Sequence, residues 1–338
     1  MNARSPWRAL TLSKNRGSKI GLALAFAALL ALAPTVASAQ ADYPNRTIKI
    51  IVPIPPGPVL DVLPRVVGEK LAAQWHQPVI VENRPGFAQN IGAEAVFNAN
   101  PDGYTLLFTP PGPLVISQFF YPKLGFDPTA FVPITVLVTV PATFVVNPKV
   151  PASTLQEFIA YAKANPNKIT YGSPGAGSTP QLAMEKFQLA AGIHLVHVPY
   201  QGLGPAMVDL LAGHIDVMID NLSNVAPHVN DGGLKLLAVT TAARLPTMPE
   251  VPTVSEVLPG YEHQDWFAFM APPKTPPAIA TKLSLAIAET LKLPDVAKRL
   301  DEFMVTPVGN SPVETAAWIK RESDRWRQVI SESGASPN

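Results

Sequence analysis

The sequence predicts an α/β protein in two lobes, each a mostly parallel sheet flanked by helices, and three observations carry that prediction. Short β-branched runs at 47–53, 79–82, 104–109, 169–173, 195–198 and 215–219 alternate with amphipathic segments. Strand, crossover helix and strand in succession mark βαβ units whose parallel sheets are buried on both faces. Two longer β-rich runs break the alternation: 131–147, interrupted by Pro133 and Pro141, and 261–271, which follows a Pro-Gly turn. Read as strands passing between lobes, they assign residues 43–140 and 268–338 to one lobe and 141–267 to the other. Lastly, the 38 prolines stand just past expected strands and at expected helix starts, as punctuation rather than low complexity.

The helix signals follow in order. Pro64 belongs in a first turn, because an interior proline costs about 3 kcal/mol, and this places a helix start near Asp61. Ser153 with Gln156 opens another helix, buried through Leu155, Phe158, Ile159 and Ala162. Thr275-Pro276-Pro277 opens a third. Ser311-Pro312-Val313-Glu314 gives an N-cap, a proline at the first helical position and a capping-box Glu before a helix running to about Ile330. Trp75, Trp318 and Trp326 fall on expected helices as packing residues, while Trp266 and Phe267, near the second crossing, are candidates to line a cleft.

At the N-terminus, Arg4, Arg8, Lys14, Arg16 and Lys19 precede an apolar run over 20–33, then Pro34 and Ala37-Ser38-Ala39. This is the pattern of a Sec-type signal peptide, residues 1–39, cleaved after Ala39, and implies a periplasmic protein. The apolar run is shorter than the ~20 residues a membrane span needs. Removing those five basic residues turns 26 Lys+Arg against 25 Asp+Glu into 21 against 25. A mildly acidic chain without a basic tract excludes nucleic-acid binding. The absence of cysteine excludes disulfides, a thiol nucleophile and thiolate metal sites.

The strongest local signal is Tyr171-Gly172-Ser173-Pro174-Gly175-Ala176-Gly177-Ser178-Thr179-Pro180-Gln181, between a strand and a helix that starts near Thr179. Glycines let backbone N–H groups approach a ligand, and a helix N-terminus adds partial positive charge and unsatisfied donors. Gly175, Gly177, Ser178 and Thr179 thus form a candidate anion cradle, or a tight turn with an ordinary cap. It is neither a Walker loop nor a dinucleotide fingerprint. Residues 53–61 repeat the arrangement after the first strand, with Pro55, Gly57, Val59, Leu60 and Asp61 as candidates, Asp61 being either an N-cap or a pocket acceptor. Thr109, Pro111 and Gly112 hold the same place after another strand. A cleft between lobes is a preferred ligand site, because both sheets direct strand ends into it.

At these loops the chain resembles one family. The carrying motifs are Tyr43-Pro44, Glu82-Asn83-Arg84-Pro85-Gly86, Asn90-Ile91-Gly92-Ala93-Glu94, Pro101-Asp102-Gly103-Tyr104, Tyr171-Gly172-Ser173, His197-Val198-Pro199-Tyr200 and Asp220-Asn221. They resemble the Bug or TctC-like receptors, the extracytoplasmic solute-binding proteins of tripartite tricarboxylate transporters, over nearly the whole chain after residue 39. The resemblance implies a periplasmic-binding-protein (Venus-flytrap) fold and a monomer without cofactor or catalytic activity. It also implies capture of a small organic carboxylate, mainly through backbone amides and waters, for an inner-membrane permease or a sensing partner. Carried over, the pocket adds Ser173, Gln181, Tyr200, Asp220 and Asn221. Three departures stand out. Relatives usually carry Pro-Ala-Gly-Gly-Gly-Thr-Asp where this chain has Pro55-Pro56-Gly57-Pro58-Val59-Leu60-Asp61; a Ser/Gly-rich loop becomes Pro110-Pro111-Gly112-Pro113; and a common His is Gln181. The first-lobe wall has lost donors and gained apolar bulk, which implies a ligand with an apolar or aromatic body.

Two rival classes are weaker. A secreted hydrolase of small esters or amides could combine Ser173 or Ser178 with His194, His197 or His214 and Asp209, Asp216 or Asp220, but no Gly-x-Ser-x-Gly elbow is present. A metal carrier needs clustered ligands, whereas of the six His only His194 and His197 are close in sequence, and on a strand they point to opposite faces. Arg84 reads as a structural residue of the Pro85-Gly86 corner.

Overall fold

Buried apolar runs set the strands, and one of them organises all the others. In the computed structural model, which describes Met1, residues 43–57 and residues 59–337 (59 and 60 in backbone only), residues 44–338 make one compact unit. The expected signal peptide lies outside the described residues. In chain order the elements are β1 (Ile48–Val52), α1 (Val59–Trp75), β2 (Val79–Asn83), α2 (Asn90–Phe97), β3 (Thr105–Thr109), a π turn Gly112–Ile116, α3 (Ser117–Phe120) and β4 (Val132–Val146). Then come α4 (Leu155–Ala164), β5 (Thr170–Ser173), α5 (Thr179–Ala191), β6 (Val196–Pro199), α6 (Leu203–Ala212), β7 (Val217–Asn221), α7 (Leu222–Asn230) and β8 (Lys235–Val239). The chain ends with β9 (Gln264–Ala271), α8 (Pro277–Thr290), α9 (Pro294–Glu302), β10 (Thr306–Pro307) and α10 (Pro312–Ser333).

β1 pairs in parallel with β2 and β3, and β5 in parallel with β6 and β7, as βαβ units require. The centre differs from the expected mostly parallel sheets. β4 runs antiparallel to β9 over Val132–Pro141 and antiparallel to β7 and β8 over Ala142–Val146. β9 in turn is antiparallel to β3. The result is one mixed sheet with a β2-β1-β3-β9 half and a β7-β5-β6 half joined through β4. Pro141 stands where β4 changes partner, facing Gln264 of β9 while Ala142 faces Asn221 of β7. A residue without an N–H suits a point where the ladder changes hands.

Both halves pack helices against buried strand faces. Phe144, Phe158, Phe187 and Tyr261 pack around one centre, with Phe144 and Phe187 ring centroids 4.6 Å apart. Trp326 of α10 is buried, and Trp318 is partly buried against the same core. Trp266 points away from any cleft: its indole donates to Glu322 Oε2 at 3.3 Å and its ring stands edge-on to Trp318.

Some boundaries move for local reasons. The helix expected from Asp61 starts at Val59, so Pro64 lies inside it rather than in its first turn. The cap expected at Ser153 belongs to Thr154, whose hydroxyl accepts from Glu157 N while the Glu157 carboxylate accepts from the Thr154 amide. β8 went unpredicted because its five residues follow directly on Gly232-Gly233 and carry too little pattern. The box at Ser311 and Glu314 forms as expected. Ser311→Ala should therefore cost about 1 kcal/mol, read as a lowered urea midpoint with unchanged slope, and an unchanged midpoint would show that α10 does not need its cap.

Candidate functional site

Loops from both halves of the sheet converge on a cavity of about 760 Å³. The first half supplies Pro53, Ile54 and Pro55 after β1, residues 85–89 after β2, and Pro110 after β3, with Tyr121 following α3. The second half supplies Pro174, Gly175 and Ala176, then Thr179 and Pro180 at the start of α5, residues 200–203 after β6, and Asn221 and Asn224 after β7. Asp265 and Phe267 of β9 lie where the strands cross, and Pro337 reaches the wall from the C-terminal segment. This is the expected arrangement of strand ends facing a crevice.

Of the residues singled out from sequence, Pro55, Gly175, Thr179, Tyr200 and Asn221 line the cavity. Gly57 and Asp220 line a smaller neighbouring cleft of about 420 Å³. Asp61 lines neither. Its carboxylate is buried and accepts from Asn83 Nδ2 at 2.7 Å, from Gly57 N at 3.4 Å and from Arg65, paired with it at 3.1 Å. Asn83 also donates to Ile54 O. Asp61 thus fixes the loop from behind and is neither its N-cap nor a pocket acceptor. Thr109 is buried and gives its hydroxyl to Pro110 O, while Pro111 and Gly112 turn away into the π turn. The side chains of Val59 and Leu60, like Pro58, lie outside the described residues.

The glycine loop also departs from a fully open amide cradle. Gly177 N donates to Gln181 Oε1 at 2.6 Å, Gly175 N to Ser173 Oγ at 3.2 Å, and Ser178 N to Gly175 O at 3.2 Å. Gln181 and Ser173 therefore brace the loop and do not line the cavity. What faces the ligand space is the start of α5, where the Thr179 amide has no intrahelical acceptor and Pro180 has no N–H, together with Ala176. Gly177 has φ +79° and a Cβ there would stand 2.8 Å from the Phe120 ring, so only glycine fits. Tyr121 donates its hydroxyl to Ala176 O, tying the first-half loops to this turn.

Ser173 and His197 do meet: Oγ and Nε2 are 2.7 Å apart. Ser173 is fully buried, and its hydroxyl also donates to Gly175 O. His197 stacks on Tyr171, and burial lowers its pKa to about 4. Among the described residues no carboxylate is hydrogen-bonded to His197, and no group of three or more His, Asp or Glu could hold a metal.

Sequence reasoning missed the loop after Pro85-Gly86, Tyr121 and Asp265. Phe87, Ala88 and Gln89 all have positive φ (46°, 46° and 75°) and line the cavity. A large aromatic directly after Pro-Gly was the available signal. Arg84 stays outside, paired with Glu82. Asp265 was visible as an acid directly before the apolar run Trp266–Ala271. It is 5% exposed; burial and nearby Asp220 push its carboxyl up to about 7, with the Asn221 amide pulling the other way. Burial raises Asp220 to about 6 against the Asn224 side chain and the Asn221 amide.

A match to the model of the tripartite tricarboxylate transporter family receptor covers residues 63–335. The chain belongs to this receptor family. BugT of Bordetella pertussis (strain Tohama I) is 37% identical over 310 residues, 90% of this chain and 95% of that relative. Among solved structures, R. palustris Rpa4515 with adipate is 34% identical with a TM-score of 0.83, covering 88% of this chain and all of that one. MatC of Rhodopseudomonas palustris with bound malate is 29% identical with a TM-score of 0.79, over 85% of this chain and all of that one. The α/β architecture expected of a periplasmic binding protein is shared with these receptor structures.

The receptor's acid at the crossing has a pH signature. Its pKa is raised by folding, so the native state holds the proton more tightly than the unfolded chain. The stability linked to it is complete below the ordinary Asp value of about 4, falls as pH rises, and levels off above about 7. Asp265→Asn should thus gain stability over the wild type progressively between pH 4 and 7, by up to a few kcal/mol at pH 8. Paired urea titrations across that range check it, and a pH-independent difference would show that Asp265 is ionised throughout.

Proposed function

We propose that this receptor is a periplasmic, monomeric capture protein for a small organic carboxylate with an apolar or aromatic body, delivering it to an inner-membrane permease or a sensing partner without chemical turnover. The single observation that carries the reading is the lining of the cavity. Pro55, Pro85, Phe87, Pro110, Tyr121 and Phe267 give it apolar and aromatic walls, while the start of α5 offers the Thr179 backbone N–H and the positive end of the helix dipole at one end, Pro180 having no N–H. Among the described residues no Lys, Arg or His lines it. A carboxylate end is then held at the helix N-terminus by the Thr179 amide and the helix dipole, and hiding an apolar body gains about 25 cal/mol per Å². A second charged carboxylate would meet proline, which has no N–H to donate. Family membership and the adipate and malate of Rpa4515 and MatC support the carboxylate class. The buried Ser173, spent on Gly175 and lacking a charge relay through His197, supports binding without hydrolysis.

The lobes are drawn as residues 43–140 with 268–338, and 141–267, turning about the crossings near Pro141 and just before β9; β9 pairs with β4 from Gln264 and with β3 from Ala268, so the second boundary moves to about residue 264. A ligand gripped by both should stabilise the protein by about 2.7 kcal/mol at a hundredfold excess over Kd and shrink its radius in solution scattering. The deciding measurement is calorimetry with 3-phenylpropanoate and benzoate against adipate, malate and citrate. The monoacids should bind more tightly; preference for the di- and triacids would refute the apolar body, and no binding by any carboxylate would refute the ligand class.

A further inference from the structure

Where β4 changes partner, Asp265 faces Val140 and Asn221 faces Ala142, so the two side chains lie next to each other on one face of the sheet, and both line the cavity. Each is more than nine-tenths buried, and each keeps an oxygen without a donor, Asp265 Oδ1 and Asn221 Oδ1. Behind them Asp220 Oδ2 is also without a donor. Asn221 stands close enough to Asp265 to favour its ionised form against the effect of burial. We propose that Asp265 and Asn221 form a subsite for a protonated amine, so that the solute carries an ammonium group as well as its carboxylate. The carboxylate end rests on the function proposed above; the amine subsite does not.

The groups facing Asp265 decide between a cation and an anion there. On its own strand His263 has Nε2 3.7 Å from Oδ1, beyond hydrogen-bond reach, and burial holds that ring neutral. β7 contributes Asp220 and Asn221. From α10, Glu322 acts in the same sense as Asp220 and Arg325 in the opposite one. A second ligand carboxylate could accept a proton-sharing bond from Asp265 in its acid form, yet it would leave Asn221 Oδ1 unmet and add a negative group beside Asp265 and the nearby Asp220. An ammonium has three donors and a charge opposite to Asp265, and so can meet the free oxygens of both Asp265 and Asn221 on the cavity face. Phe267, two residues along the same face, and Tyr200 add aromatic surface suited to a cation.

The test uses matched sets on the full, natively purified protein: 3-phenylpropanoate, phenylalanine and 2-phenylethylamine, then hexanoate and 6-aminohexanoate to vary the spacing. In at least one set the amine-bearing acid should bind about tenfold or more tightly than its deaminated partner, and Asp265→Asn should erase that advantage. Loss of fold does not explain such an erasure if the variant is at least as stable as the wild type at pH 7.5. Calorimetry at pH 6.5 in two buffers of different ionisation enthalpy should show proton release on binding, because the ammonium draws Asp265 into its ionised form. Equal or weaker binding of the amino members in every set, or proton uptake, overturns the subsite and leaves the carboxylate reading intact. Binding of the bare amine with none of the simple acids supports the subsite and overturns the carboxylate reading. Failure of every probe overturns both.

Discussion

Everything in this molecule depends on β4 serving two sheets at once. Its fifteen residues pair with β9 up to Pro141 and with β7 and β8 from Ala142 onward. A strand shared this way fixes the cavity, because the loops after β1, β2 and β3 and those after β5, β6 and β7 approach one another only where the two halves meet along it. Register is fixed by burial: every residue of β4 from Ile134 to Val146 is buried, and a one-residue slip would invert both faces together.

The cavity is held from outside by contacts that never touch its contents. Asp61 and Asn83 secure the Pro53–Gly57 stretch, and Gln181 and Ser173 brace the glycine turn. Conformation at the wall is thereby set by polar groups already bonded to one another, whereas Asp265 and Asn221, which line the cavity, each keep an oxygen unmet. Such a division suits a receptor, whose specificity comes from polar groups left unmet until the right partner arrives.

The α/β class, the alternating strands and the location of the cleft were legible in sequence because hydrophobic period and turn chemistry are local properties. The capping box at Ser311 and the glycine turn before α5 were legible for the same reason. The antiparallel centre was not, since pairing of β4 with β9 and β7 is a choice among distant partners that no local window records. Asp61 illustrates the limit within the site. An acid near a helix start is compatible with a cap, a pocket or a brace, and only the approach of Asn83 from another strand selects the brace. Phe87 and Asp265 each left a local trace, an aromatic after Pro-Gly and an acid beside an apolar run, but only the topology, by setting them on one cavity, gives those traces a meaning.

The pairing of Leu107 with Met270 also governs how the molecule comes into being. β3 is bordered on one side by β1, available early, and on the other by a strand that follows in the chain only after the entire second half of the sheet. Long-range pairing of this kind has high contact order and is intrinsically slow, so a nascent chain ending before β9 has no complete first sheet. The first sheet is thus completed only when the last third of the polypeptide is present, so its final pairing waits on nearly the whole chain.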